Sequence, residues 1–235
     1  EVTTTTNYGD SSTLKTISIA VWFKTVTASG KKIIGLEQVQ SGYNNNKDRV
    51  IYVGTDGKVY FAVWDGSVRS AISNGTYTDG NWHHAVGVSS GDGTNIKLYV
   101  DGVLQQTTSV GTIGTYAGGT SYWRIGGYSN DNFVNSSNGY FPGQIDEPRI
   151  YNRALSASEV WDLYQAGAAD KVNSADTQSA PLERGLAGYW RFDDASGGSA
   201  TDSSGNGMTG TLTNGPTWTT GQVDGAVNLD GTDDY

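Results

Sequence analysis

The sequence predicts an all-β fold, a sandwich or barrel of short strands, and three observations predict it. Apolar residues recur at every second position, Asp-Gly dipeptides punctuate the chain, and 33 glycines stand against only 4 prolines. Alternation places successive side chains on opposite faces of an extended segment, as a half-buried strand requires. Asp-Gly supplies the positive φ angles of a two-residue hairpin turn. Abundant glycine without proline marks tight turns rather than a collagen-like repeat.

The elements follow in order. Ile17, Ile19, Val21 and Phe23 share one face of a strand over 17–24. Residues 49–64 read as a hairpin: 50–53 lead into Asp56-Gly57, and Val59, Phe61 and Val63 return. Asp-Gly recurs at Asp65-Gly66, Asp79-Gly80, Asp92-Gly93, Asp101-Gly102, Asp224-Gly225 and Asp230-Gly231. Further strands are expected over 82–89, 96–100, 103–108 and 122–126. One short helix is expected. Ser156-Ala157-Ser158-Glu159 is a capping box, in which the serine caps the first turn and the glutamate reaches back. Val160, Leu163 and Tyr164 form its apolar stripe, and Gly167 is a fitting stop. Residues 168–185 are polar, small and aperiodic, the pattern of a linker. A new strand is expected over 186–192, with others near Thr211 and over 226–229. The stretch 186–235 is too small to stand alone without disulfides or metal and is expected to borrow a partner surface.

Composition narrows the function. The chain of 235 residues suits one large all-β domain or two small ones. A net charge of −9 argues against nucleic acid and anionic membranes, which need basic patches. It is compatible with calcium, which takes carboxylate and carbonyl oxygens. No apolar run reaches membrane-spanning length, so no membrane insertion is expected. Without cysteine there is no disulfide framework and no thiolate chemistry. A start at Glu1, without initiator Met or leader, is expected of a processed product or a segment of something longer.

Two groups of residues carry a family likeness. Asn81-Trp82-His83-His84-Ala85-Val86 followed by Lys97-Leu98-Tyr99-Val100-Asp101-Gly102 resembles the central hairpin of laminin-G-like domains. The run from Gly143 through Ile145-Asp146-Glu147-Pro148-Arg149-Ile150-Tyr151 to Ser156 resembles the strand and helix start that close such a domain. The tail resembles the family's beginning: Gly188-Tyr189-Trp190-Arg191-Phe192-Asp193, then Asp202-Ser203-Ser204-Gly205-Asn206-Gly207, then Leu229-Asp230-Gly231-Thr232-Asp233-Asp234-Tyr235. The resemblance implies a jelly-roll β-sandwich of the concanavalin A-like lectin/glucanase superfamily, split or permuted along the chain. Residues 1–167 would form a laminin-G-like sandwich lacking its first strands, 168–185 the linker, and 186–235 the missing strands, completing the same or a neighbouring unit. Three arrangements remain open: a circular permutant, one period of a tandem array, or a subunit whose tail completes its neighbour. A sandwich without its first strands exposes unpaired edges, and complementary strands are the remedy. The first expectation for function is a non-catalytic structural or adhesion module of the cell surface, self-associating head to tail into a fibre or array. The alternative is a carbohydrate-binding, lectin-like module of an adhesin or a secreted glycan-active protein.

The resemblance also implies calcium at the sandwich rim, held by Asp146, Asp193, Asn206 and the Gly231 carbonyl, with Asp202 in reserve. Asp202 and Asn206 can equally build a Ser-Ser-Gly turn. Tyr43, Trp64, Tyr128 and Tyr140 are candidate glycan platforms, the loops 42–46 and 128–140 being rich in Asn and Tyr, but surface decoration of turns is the preferred reading of them. Glycosidase chemistry needs two carboxylates about 5–9 Å apart across the sugar bond. Asp146 and Glu147 are adjacent and on a regular strand would face opposite ways, so no catalytic pair is expected. His83 and His84 lack a third ligand of matching spacing and are read as packing residues.

Overall fold

The computed structural model describes residues 2–4, 15–43, 47–90, 94–111, 113, 121–128, 130–168 and 182–234. The linker core 169–181, Asn44-Asn45-Asn46, Asp92-Gly93 and Tyr235 lie outside them. Two sheets pack face to face. The first orders its strands β13 (Ser199–Ala200), β14 (Gly210–Leu212), β1 (Val2–Thr4), β10 (Tyr122–Ile125), β3 (Lys32–Glu37), β4 (Lys47–Val53), β5 (Lys58–Trp64) and β6 (Val68–Thr76). The second orders β15 (Thr217–Thr220), β16 (Gly225–Asp230), β11 (Pro142–Tyr151), β2 (Thr16–Lys24), β7 (His83–Ser90), β8 (Asn95–Val100) and β9 (Val103–Ser109), with β12 (Leu186–Tyr189) also on β11. The all-β sandwich is as the residue pattern requires. Helix α1 (Ala157–Ala168) covers the outer face of the second sheet, where Val160 and Leu163 meet Ala20, Val86 and Tyr99.

The tail closes both sheets of its own chain. One edge of β11 runs along β2; the other is shared by β16, at Pro142 to Ile145, and β12, at Arg149 to Tyr151. In the first sheet β14 pairs with β1, which pairs with β10. Strand β1 escapes sequence reading because three residues are too few to show a period. Trp190, Phe192, Met208, Val227 and Leu229 enter the same buried cluster as Ile19, Phe61 and Trp123. Trp190 satisfies its indole N–H on the Met208 carbonyl at 2.7 Å, so a fully buried ring leaves no unpaired donor.

Candidate functional site

Of the expected aromatics, Trp64 stands on a strand of the first sheet, and Tyr43, Tyr128 and Tyr140 stand on loops. On β5, Tyr60, Ala62 and Trp64 alternate outward while Val59, Phe61 and Val63 enter the core. Trp64 is half exposed, and its backbone N–H donates to Asp48 on the neighbouring β4 at 2.9 Å. Beside Asp48, Lys47 forms an ion pair with Asp131. The Asp131 carboxylate also accepts the Tyr43 hydroxyl at 3.0 Å, and the Lys47 ammonium lies 5.8 Å from the Tyr43 ring. Burial alone would raise Asp131, but hydrogen bonds from Lys47, Asn138 and Tyr43 hold it below the usual carboxylate value. Tyr128 and Tyr140 pack with ring centres 5.3 Å apart, and Arg124 lies 5.7 Å from the Tyr128 ring.

A buried charge network holds this face. Arg124 donates to Glu37 at 2.7 Å and to the Gly42 carbonyl at 2.7 Å, pinning the loop that carries Tyr43. Lys32 completes the network on Glu37, and all three charged side chains are essentially inaccessible. Tyr43 thus lies against Asp131, and Tyr128 and Tyr140 lie beside Arg124, while Trp64 is tied through its backbone to Asp48. Sequence reasoning found the aromatics but missed Lys47, Arg124, Glu37 and Asp131, whose partners lie far away in sequence and leave no local pattern.

The expected metal ligands fall in three places. Asp146 and Asp193 are near enough to repel each other, and both brace the loop 221–225: Val223 N–H donates to Asp146 at 2.9 Å and Gly225 N–H to Asp193 at 2.8 Å. Asp202 and Asn206 shape one turn. Asp202 accepts backbone N–H groups of Tyr189, Ser204 and Met208, and Asn206 donates to the Leu186 and Ala187 carbonyls. Gly231 sits at the far end of β16 within a third group. There Asp230, Asp233 and Asp234 bring carboxylate oxygens within 4.8 Å of one another, the one such trio among the described residues. Asp234 is buried, and burial pushes its carboxyl above the usual value, with Asp230 and Asp233 adding repulsion. The Asp230 N–H, at 2.9 Å from the Asp234 carboxylate, offsets part of this, and three converging oxygen donors fit a hard divalent cation.

The strand bulges after Asp146, and Glu147 takes φ 53°. The alternation assumed for Asp146 and Glu147 therefore fails at that point. Burial pushes Asp146 up to about 8, with the Val223 hydrogen bond opposing and Glu147 and Asp193 adding to the rise. Glu147 is tied to Arg149 and accepts the Tyr189 hydroxyl at 2.5 Å. Asp146 Oδ1 and Glu147 Oε1 are buried without a hydrogen-bond partner. Both residues are buried, Asp146 fully. His83 bridges Asp79 and Asp101 at 3.0 and 2.9 Å, whereas buried His84 is pushed down to about 3 by desolvation and Arg149.

A laminin G family model, described as the concanavalin A-like lectin/glucanases superfamily, matches residues 2–161. No curated protein matches the chain. Among solved structures, a heptameric SAP-like pentraxin from Limulus polyphemus is 17% identical with a TM-score of 0.51, over 69% of this chain and 74% of that one. A Bacteroides ovatus protein, provisionally named a carbohydrate binding protein, is 15% identical with a TM-score of 0.56, over 90% of this chain. The chain spans about half of that protein's length, 55%. At such identities the likeness is one of fold.

Proposed function

The chain belongs to the concanavalin A-like lectin/glucanases superfamily, in a laminin G family, and from that membership we propose that it is a non-catalytic, glycan-binding module acting outside the cell. One observation supports the reading: the half-exposed Tyr43 ring donates its hydroxyl to the Asp131 carboxylate at 3.0 Å, and Trp64 stands half exposed on β5. Aromatic rings offer flat apolar surface to the C–H face of a sugar, and an ionised carboxylate accepts its hydroxyls. The provisional carbohydrate-binding name of the Bacteroides ovatus neighbour supports the same reading. On an array of immobilised glycans the protein should retain at least one glycan. Trp64→Ala and Tyr43→Ala should each weaken it about tenfold, roughly 1.4 kcal/mol, with the circular dichroism spectrum unchanged. No retained glycan, or variants that bind as well as the parent, would refute it. Hydrolysis of a retained glycan would refute the non-catalytic part.

Calcium belongs to the proposal at Asp230, Asp233 and Asp234, with the Gly231 carbonyl beside them. Asp146 and Asp193 form the other pair from the expected set, at a separate place. Calcium should raise the melting temperature, a chelator should reverse the rise, and Asp233→Asn should abolish it. The head-to-tail fibre is the second reading. It requires β12 to β16 to leave their own β11 and β1 for a neighbour's, whereas here they pair within the chain. A monomer at all concentrations in light scattering supports the self-closed module; concentration-dependent growth supports the fibre.

A further inference from the structure

A cleft of about 630 Å³ opens on the rim between β15, the turn after Trp190 and the Asp224-Gly225 turn. Its wall is Trp218, whose indole N–H donates to the Gly197 carbonyl at 3.1 Å and whose ring meets buried Phe192 edge-on at 6.4 Å. The ring is therefore fixed before any ligand arrives, which spares binding an ordering cost. Asp193 is fixed likewise by Gly225 N–H at 2.8 Å, with Arg191 at 3.5 Å from its other oxygen. Thr219, Thr220 and Asp224 complete the lining, with the Thr220 side chain on the same face of β15 as Trp218. Three non-glycine residues of the lining hold positive φ: Phe192 at 58°, Ala195 at 60° and Asp224 at 52°. Such backbone is costly and gathers where a shape must be held for a ligand. Close packing enforces it, since a Cβ on Gly225 would lie 2.4 Å from the Phe192 carbonyl.

We propose that this cleft is a second carbohydrate subsite, independent of the aromatic sheet face, and that it takes a neutral hexopyranose. The volume lies within the roughly 300–1,000 Å³ of small-molecule sites. Trp218 offers the stacking surface. The Asp193 carboxylate and the Thr220 hydroxyl meet the sugar hydroxyls. Two carboxylates against one guanidinium leave the rim negative, so a uronic or sialic acid is repelled.

The test uses the whole chain in EDTA. Methyl glucosides, galactosides and mannosides, and the glucuronate and galacturonate, are titrated up to ~50 mM by ligand-observed NMR. At least one neutral glycoside should bind, and the uronates about tenfold more weakly. Trp218→Ala should weaken that binding about tenfold, while Trp161→Ala, an exposed indole on α1 outside both sites, leaves it unchanged. Thr220→Tyr, which fills the cleft from an exposed strand residue, should block it without touching the core. No neutral glycoside bound in EDTA, preference for uronates, or binding that survives Thr220→Tyr would overturn the proposal. Binding that calcium must restore would overturn it too, because the carboxylates would then act on a cation. Loss of binding with Trp64→Ala alone would place the sugar on the sheet face and leave this cleft without one.

Discussion

At the scale of the residue, burial governs the behaviour of the charged groups. Asp146 is pushed up to about 8 by desolvation, so the folded chain holds its proton more tightly than the unfolded chain, whose aspartates titrate near ~3.9. Between those values every rise in pH favours unfolding. In EDTA, the melting temperature should fall from pH 5 to pH 8. Asp146→Asn should flatten that slope and melt higher than the parent at pH 8; parallel slopes would refute the assignment. His83 runs on the same sign through different causes. Desolvation lowers its value, but Asp101 and Asp79 outweigh it and the net shift is upward. Its contribution is complete below the unfolded value near ~6.5 and is lost as pH rises through the folded one. Urea unfolding of His83→Gln should therefore show a larger deficit at pH 5.5 than at pH 8.5. Glu37 is the third case. Its removal strands Arg124 and Lys32 in a dry site, and Glu37→Ala should cost about 3–5 kcal/mol in urea unfolding.

At the scale of the element, caps and edges decide. The capping box forms as its residues require: Ser156 N–H donates to Glu159 at 2.8 Å and Glu159 N–H donates to the Ser156 hydroxyl at 3.2 Å. Ser156→Ala should cost about 1 kcal/mol. Strands β6 and β9 are sheet edges, and an open edge invites pairing with another molecule. Two glutamines of β9 occupy two backbone donors of β6. Gln106 accepts the Ile72 N–H at 2.6 Å and Gln105 the Asn74 N–H at 3.1 Å, so side chains of one sheet cap the backbone of the other. The double variant Gln105→Ala/Gln106→Ala should lose about 1–3 kcal/mol and form oligomers visible by size-exclusion chromatography.

At the scale of the whole molecule, one core joins residues from both ends of the chain. Trp190 and Leu229 lie in one cluster with Ile19 and Phe61. Trp190→Ala should therefore cost about 3–5 kcal/mol, as a substitution in the middle of the chain would. It should lower a single unfolding transition rather than a separate one for the tail. Two resolved transitions in calorimetry would show the tail folding as a unit of its own.

The sequence by itself determined what depends on neighbouring positions. Alternation assigned Ile17 to Phe23 their faces, Asp56-Gly57 placed a hairpin, and Ser156 and Glu159 placed the helix start, because period and turn chemistry are local. The runs Asn81 to Val86 and Lys97 to Gly102 carried the superfamily, since together they span a hairpin. Only the tertiary structure decided which strands became neighbours. It brought Tyr43 to Asp131 across 88 positions and Asp146 to the loop at Val223 across 77. It bent the strand at Glu147 and built the cleft beside Trp218 from one strand and two turns. Alternation tells a side chain which face it takes but not which strand will lie beside it, and both candidate sites arise from that second choice.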